Sequence, residues 1–189
     1  MKRTTITFAL ITFLFNASVA QVTIKGVALS PKIVPAKTTL VLNGAGVRTN
    51  HFIKVYVAGF YLQSKTSIPK EIIEEDKQMC VRLSIISTLI NSDNMTRTIR
   101  EGFDKSTGGK SERFKKEIDD ICVIFQSDVI KVGDMFEIYY VPGSGLHSNK
   151  NGKDMAVNIK GIDFKKALFG IWFGEDPVDY DLKKGMLGL

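Results

Sequence analysis

The longest strand-like run of the chain, residues 52–62, constrains the fold more than any other segment. β-branched and aromatic residues dominate this run, and Lys54 is its only charged residue, a composition typical of a β-strand. An almost wholly apolar strand needs cover on both faces for much of its length. A second apolar run begins at Leu40, and Gly44-Ala45-Gly46 is predicted to end or bend it. The two runs together predict the buried centre of a sheet.

Arg48 lies between these two apolar runs. Its guanidinium stays protonated near neutral pH and presents a planar set of donors. An apolar pocket beside it would favour a carboxylate or another anionic oxygen. A solvated surface arginine is the simpler alternative, and residue type alone does not decide between the two.

The N-terminus indicates export. Lys2 and Arg3 precede an apolar run at 6–15, and small residues occupy 17–20, the pattern of a secretory signal peptide cleaved after Ala20. The alternative is a membrane anchor, but the apolar run is well short of the roughly 20 residues that span a bilayer. We therefore predict a signal peptide at 1–20, one domain at 21–189, and no stable membrane span after cleavage.

Charge and composition exclude several classes of function. Loss of Lys2 and Arg3 lowers the net charge from +6 to +4, and the remaining basic residues are scattered among acidic ones. A nucleic-acid-binding stripe is therefore not predicted. The only two histidines, His51 and His147, have no partner at the spacing of a zinc site. We predict no metal, no cofactor and no nucleic-acid partner.

The two cysteines leave two alternatives open. Cys80 and Cys122 each lie within an apolar pattern of an exported chain. Export permits a disulfide, and two buried free thiols acting as small apolar residues are equally compatible with the pattern.

The order of elements predicts an α+β domain. Strand patterns recur at 22–24, 80–87, 135–141, 146–148 and 155–159, and helical apolar spacing lies in 91–103, 111–125, 164–173 and 178–184, with a helical turn at 70–77. Asn91 or Ser92, Ser111 and Asp163 are predicted to cap three of these helices. Strands, then helices, then strands, then helices favour helices packed on one mainly antiparallel sheet.

Two strings of sequence give the chain a family resemblance. Residues 42–48, with sequence LNGAGVR, and 54–62, KVYVAGFYL, resemble the chalcone isomerase family, and above all its bacterial, exported chalcone isomerase-like branch. The C-terminal string at 167–178, ALFGIWFGEDPV, is similar to the same branch. The resemblance implies an open-faced β-sandwich, in which a large mainly antiparallel sheet has helices packed against it and a ligand cleft between.

The resemblance also implies a site. In the plant enzymes an arginine after the glycine pair holds the substrate phenolate, and Arg48 matches it. A catalytic threonine on the next strand corresponds to Tyr56. Non-catalytic relatives that bind fatty acids use an arginine and a tyrosine, for which Arg48 and Tyr56 are the matching pair and Tyr61 a weaker candidate.

Departures from the plant pattern favour binding without catalysis. Met95 and Gly102 occupy the positions of a tyrosine and an asparagine of the plant active site, so the stabilisation of transition-state charge is reduced. We assign no catalytic residue. We predict instead a small amphipathic carboxylate ligand such as a fatty acid, held by Arg48 and Tyr56 with Met95 and Ile99 on the apolar wall.

Two other functions remain open at this point, and for each the location expected from the resemblance is the bacterial periplasm. One is an isomerase or lyase acting on a flavonoid-like substrate, which the family and Arg48 support. The other is an envelope protein-interaction module using Phe169, Trp172 and Phe173 as an exposed patch, although their helical spacing favours the core. The sequence identifies no protein partner.

Overall fold

A computed structural model describes residues 21–189. These residues form nine strands and five α-helices, together with 3₁₀ turns at Pro35–Lys37 and Ser111–Phe114. The strands are β1 (Val22–Ile24), β2 (Val27–Leu29), β3 (Lys32–Ile33), β4 (Leu40–Asn50), β5 (Ile53–Leu62), β6 (Met79–Ile85), β7 (Met135–Val141), β8 (Gly145–Lys150) and β9 (Lys153–Ile159). The helices are α1 (Pro69–Glu74), α2 (Ser92–Ser106), α3 (Lys115–Gln126), α4 (Ile162–Phe173) and α5 (Tyr180–Met186).

The main sheet has seven strands in the order β3-β4-β5-β6-β7-β8-β9. Every neighbouring pair is antiparallel, and β1 and β2 form a separate hairpin. Helices α2 to α5 bury their apolar side chains against one face of this sheet. The predicted α+β class and large antiparallel sheet with packed helices are confirmed.

Side chains of β5 alternate between two cores. Tyr56, Ala58 and Phe60 belong to the large core beneath the helices. Val57 and Tyr61 belong to a smaller core on the other face, which the β1–β2 hairpin covers with residues such as Leu29. The strand is therefore buried on both faces, as its composition predicts, and we call the helix-covered face the inner face.

The second strand does not end at the Gly44-Ala45-Gly46 string, as one form of the prediction had it, but the alternative form, a bend, agrees with a β-bulge at the start of the string. β4 continues through these glycines to Asn50, with a register shift between Leu42 and Gly44 where Asn43 is the extra residue. The glycines serve a close approach of α5: a Cβ at position 44 would lie 2.2 Å from the carbonyl oxygen of Gly185. Packing against a helix, rather than a turn, is the reason for glycine here.

The predicted helix starts are partly correct. Asn91 caps α2 in a reciprocal capping box with Asn94. Ser111 instead begins a 3₁₀ turn, and α3 starts after it at Lys115 without a side-chain cap. Asp163 lies in the first turn of α4, whose N-cap is Gly161, so the predicted cap there is wrong by two residues.

Several other predictions concern burial and location. Cys80 and Cys122 are free and buried, and they lie in the two different cores. Phe169, Trp172 and Phe173 are buried, so they form no exposed patch.

No helix within 21–189 is long and apolar enough to cross a membrane. The predicted signal peptide at 1–20 lies outside the described residues.

Candidate ligand-binding site

Arg48 and Tyr56 face each other across the β4–β5 ladder. They are register partners, so their side chains share the inner face of the sheet. The register shifts directly after this pair, where Val55 is the extra residue of β5. Such bulges re-aim side chains at the edge of a regular ladder. The bulge at Val55 therefore changes the direction of β4 and β5 next to Arg48 and Tyr56.

Arg48 is held by a carboxylate from the C-terminal end of the chain. Its Nη1 lies 3.5 Å from Asp179 Oδ2, and both side chains are 13% exposed. The same Nη1 donates to the carbonyl oxygen of Thr49. Within the described residues these are the hydrogen bonds of the guanidinium, so Nε and Nη2 keep donors for a ligand.

Asp179 has structural partners besides Arg48. Its Oδ1 accepts from the backbone N–H of Asp181 and Leu182, at 2.9 and 3.0 Å, and caps α5. Its Oδ2 accepts from the Thr49 N–H at 3.0 Å. Because of these three donors, Asp179 would keep hydrogen bonds if Arg48 moved toward a ligand, but its charge would lose its ion-pair partner.

Tyr56 is buried, and its hydroxyl is aligned by the only tryptophan of the chain. Trp172 Nε1 donates to the Tyr56 hydroxyl oxygen at 3.3 Å. Burial raises the pKa of Tyr56, although the Trp172 hydrogen bond and the Arg48 charge act in the opposite direction. The phenol is therefore neutral at physiological pH, and the described residues provide no acceptor for its proton. It can donate to an anionic ligand.

Two cavities meet at Tyr56 and Met95. The outer cavity has a volume of about 200 Å³ and opens between the start of β5 and the start of α2. It is lined by side chains that include Arg48, Tyr56, Leu89, Met95 and Arg97. A second opening of about 200 Å³ shares Arg48 and Arg97 and extends along α2 to Glu101 and Lys105. The openings of the site thus carry three cationic side chains, and each forms an ion pair with a carboxylate: Arg48 with Asp179, Arg97 with Glu101 and Lys105 with Asp176.

The inner cavity is apolar and small. It has a volume of about 40 Å³ and lies between the sheet and helices α2, α3 and α4. Tyr56, Met95, Ile99, Ile171 and Trp172 are among the residues that line it. A polar mouth with two arginines therefore leads past a phenol into an apolar interior, which is the order of groups that an amphipathic carboxylate requires.

Close packing explains why α2 has a glycine at position 102. A Cβ at Gly102 would lie 2.9 Å from Ile171 Cγ2, so α2 and α4 approach each other through the missing side chain. An asparagine at position 102 has no room in this arrangement. Met95, 6% exposed, fills the other position at which the plant pattern has a polar group.

The structure brings four of the five predicted binding residues together. Arg48, Tyr56 and Met95 line the outer cavity, and Ile99 joins Tyr56 and Met95 in the inner one. Tyr61 does not join them: it lies in the core on the opposite face, and its buried hydroxyl has no hydrogen-bond partner in the described chain. The two-residue period of β5 explains the separation, since 56 and 61 differ by an odd number.

Sequence reasoning missed three residues of the site. Trp172 was assigned to the core or to a surface patch, but it lines the inner cavity and holds Tyr56. Thr98 lines both cavities, and Asp179 holds Arg48. An aspartate before a short helix is a recognisable helix-cap signal, and Asp179 has that position. Its contact with Arg48, 131 residues earlier, has no signal in the sequence.

A family model described as chalcone isomerase-like matches residues 21–188. The chain belongs to the chalcone isomerase-like family. The resemblance seen in the sequence is therefore confirmed. A search among curated proteins found no match.

Among solved structures, this chalcone isomerase-like protein is similar to the Arabidopsis thaliana fatty-acid binding protein AtFAP1. The TM-score is 0.71 at 16% sequence identity, and the match covers 89% of this chain and 96% of that one. At this identity the likeness establishes the shared fold, and with it the chalcone isomerase architecture expected from the sequence.

Proposed function

We propose that this chalcone isomerase-like protein binds a fatty acid or similar amphipathic carboxylate without transforming it. The observation that carries the proposal is the position of Arg48 and Tyr56. They are register partners at the boundary between a polar mouth, which contains Arg48 and Arg97, and an apolar interior. A carboxylate placed between them would accept charge-assisted hydrogen bonds from the guanidinium and a hydrogen bond from the phenol.

The apolar wall supports binding rather than catalysis. Met95 stands where the plant pattern has a tyrosine, and Gly102, where it has an asparagine, is packed against Ile171. Neither side chain can donate a hydrogen bond to a negative charge that develops in a transition state. Stabilisation of such charge is the largest single contribution to the rate enhancement of many enzymes. The named fatty-acid binding function of AtFAP1, a protein of the same fold, supports the same choice of ligand.

The proposed location is the bacterial periplasm. The support is the signal-peptide pattern of residues 1–20. The two thiols are consistent with an oxidising compartment, because Cys80 and Cys122 are buried in separate cores and cannot pair without unfolding.

The test begins with the ligand. Protein purified after export is extracted with organic solvent, the extract is analysed by mass spectrometry, and the delipidated protein is titrated with dodecanoate and oleate by calorimetry. Trp172 is the only tryptophan and lines the inner cavity, so its fluorescence gives a second readout. Absence of extracted lipid together with no heat and no fluorescence change would overturn the proposal.

Two tyrosines of β5 provide a matched control. Tyr56→Phe removes the proposed hydroxyl donor, and Tyr61→Phe removes a hydroxyl from the other face. We expect Tyr56→Phe to weaken dodecanoate binding by about fivefold to tenfold, as the loss of one hydrogen bond predicts, while Tyr61→Phe leaves it unchanged. Turnover of a chalcone above the spontaneous rate, abolished by Arg48→Met, would instead support the isomerase alternative.

A further inference from the structure

One end of the sheet exposes a group of large apolar side chains. It is the end at which β4 ends and β5 begins. Five of the eleven exposed large hydrophobic residues of the described chain lie there, four in three loops and one, Ile53, at the start of β5. We call this group the apolar tip, and its members are Phe52, Ile53, Leu89, Val129 and Val132.

Backbone hydrogen bonds bring these loops together. The N–H of Ile86, in the β6–α2 loop, donates to the carbonyl of Val55 at 3.1 Å. The N–H of Gly133, in the α3–β7 loop, donates to the carbonyl of Ile85 at 2.9 Å. These bonds place the β4–β5 turn, the β6–α2 loop and the α3–β7 loop side by side at this end of the sheet.

Phe52 is the most unusual member of the apolar tip. It is 100% exposed, and it forms with His51 the two-residue turn between β4 and β5. Both residues have positive φ, 45° at His51 and 69° at Phe52. This is a conformation in which glycine or asparagine is common and a bulky aromatic residue is an outlier. A strained, fully exposed phenylalanine indicates a role outside the fold.

Cationic side chains accompany the apolar tip. Lys54 follows Ile53 directly, Lys131 lies between Val129 and Val132, and Lys25 is in the β1–β2 turn. The Lys25 ammonium lies close enough to lower the pKa of Lys54. None of the three forms an ion pair with another described residue. Asp128, in the loop of Lys131, lies close enough for the Lys131 charge to help lower its pKa, and it is paired with Lys150. Two adjacent ammonium groups without a carboxylate favour an external anion.

The apolar tip borders the mouth of the ligand-binding site. Ile53 and Leu89 line the outer cavity, together with His51 of the strained turn. A surface in contact with the apolar tip would therefore face the opening through which a ligand reaches Arg48 and Tyr56.

We propose that the apolar tip docks on the surface of a membrane that contains anionic lipids, with Phe52 and Val132 entering the headgroup region. Exposed aromatic and aliphatic side chains beside unpaired lysines are the combination that binds such an interface. The proposal rests on the proposed function for its purpose, since docking would let a fatty acid pass between the bilayer and the cavity without crossing water.

The test compares vesicle binding with ligand binding in solution. Flotation with vesicles of equal parts phosphatidylcholine and phosphatidylglycerol measures docking, and calorimetry with dodecanoate measures the cavity. Phe52→Asn removes the aromatic group and suits the positive φ, so it preserves the turn. Val132→Asn tests the second loop. Ile68→Asn, at an exposed residue before α1 at the opposite end of β5, is the matched control.

We expect Phe52→Asn to weaken vesicle binding by about tenfold, the effect of keeping one large apolar group out of the interface. Val132→Asn should weaken it less, and Ile68→Asn should not change it. Neither Phe52 nor Val132 lines the cavities, so dodecanoate affinity should stay at the wild-type value. Oleate transfer from vesicles to protein should slow in parallel with docking.

Three results would overturn the proposal. The first is vesicle binding by Phe52→Asn at the wild-type level. The second is vesicle binding that disappears in high salt and is insensitive to both substitutions. The third is no vesicle binding by the wild-type protein, including the case in which Phe52 is required for a purified protein partner instead. Dodecanoate binding without vesicle binding would refute only this inference, and vesicle binding without dodecanoate binding would refute only the proposed function.

Discussion

Arg48 and Asp179 join the ligand-binding strand to the last helix of the chain. Their ion pair, 3.5 Å between Nη1 and Oδ2, connects residues 131 positions apart. The arginine proposed to hold a ligand carboxylate thus already contacts a carboxylate of the protein. A ligand must share the guanidinium with Asp179 or draw it away.

This competition predicts the effect of Asp179→Asn. Asparagine keeps a capping oxygen for α5 but removes the negative charge beside Arg48 and Tyr56. We expect dodecanoate affinity to rise several-fold and the free energy of unfolding to fall by about 1 kcal/mol, since the Thr49 N–H loses an acceptor. Calorimetry and urea unfolding measure the two effects.

A second substitution separates the cap from the charge. Asp179→Ala should also free Arg48, but it should cost about 1 kcal/mol more in stability than Asp179→Asn because α5 loses its cap. Unchanged or weaker carboxylate binding in both variants would show that Arg48 does not hold the ligand.

Close packing at two glycines predicts an order of destabilisation. At Gly44 an added Cβ meets the backbone oxygen of Gly185 at 2.2 Å, whereas at Gly102 it meets the Ile171 side chain at 2.9 Å. A side chain can rotate away more easily than a helix backbone can move. We therefore expect Gly102→Ala to cost about 1 to 2 kcal/mol and Gly44→Ala at least about 3 kcal/mol of unfolding free energy.

Thermal or urea unfolding measures both variants. Gly44→Ala should also disturb the site, because displacement of α5 moves Asp179 away from Arg48. Equal stability of the two variants would contradict the close contact between β4 and α5.

The sheet could be predicted because local chemistry determined it. The apolar composition of residues 52–62 required cover on both faces, and the structure provides it with the helices on one side and the β1–β2 hairpin on the other. The capping box of α2 is likewise a local pattern, Asn91 with Asn94. Local signals failed at Gly44, where the reason for glycine is a helix from the other end of the chain.

The site was predictable only in part for the same reason. Arg48 and Tyr56 came from the family resemblance, but the assignment of faces required the register of β5, which separates Tyr56 from Tyr61. Trp172 and Asp179 reach the site through tertiary contacts at separations of 116 and 131 residues. No spacing rule along a sequence covers such distances.

Lys165 predicts a dependence of stability on pH. Its ammonium is fully buried and donates to the carbonyls of Ile72, Ile73 and Glu75, at 2.6, 2.9 and 2.8 Å, where α1 ends. Burial lowers the pKa of Lys165 to about 8. Below pH 8 the lysine is charged in the folded and the unfolded chain, so the cost of burying the charge is present in full.

In the unfolded chain the pKa of Lys165 is about 10.4. Between about pH 8 and pH 10.4 the unfolded chain therefore binds this proton more tightly than the folded chain does. The contribution of Lys165 to the free energy of unfolding therefore rises with pH in this range, by at most about 3 kcal/mol. Urea unfolding from pH 7 to pH 10 should show a rise in the wild-type protein relative to Lys165→Met.

Lys166→Met is the control for this titration, because Lys166 is on the surface, in an ion pair with Glu74. It should keep most of the wild-type rise, because burial lowers the pKa of Lys165 more than the Lys166 charge does. Lys165→Met should itself lose about 3 kcal/mol at pH 7, since three carbonyls lose their donor. Parallel pH profiles of the wild type and Lys165→Met would show that the buried amine does not titrate in this range.

The small inner cavity predicts a dependence on ligand length. The outer and inner cavities, of about 200 and 40 Å³, are below the usual range of about 300 to 1,000 Å³ for ligand pockets. A long acyl chain therefore needs side chains to move, and Met95, which lies between the two cavities, is unbranched and adaptable.

Met95→Ala should widen the passage and raise oleate affinity more than dodecanoate affinity. The same change should cost about 2 to 3 kcal/mol in stability without ligand. Ile72→Ala, a buried residue of the same core that lines neither cavity, should reduce stability similarly and leave the ratio of the two affinities unchanged. An equal gain for both ligands in Met95→Ala would place the end of the acyl chain outside the inner cavity.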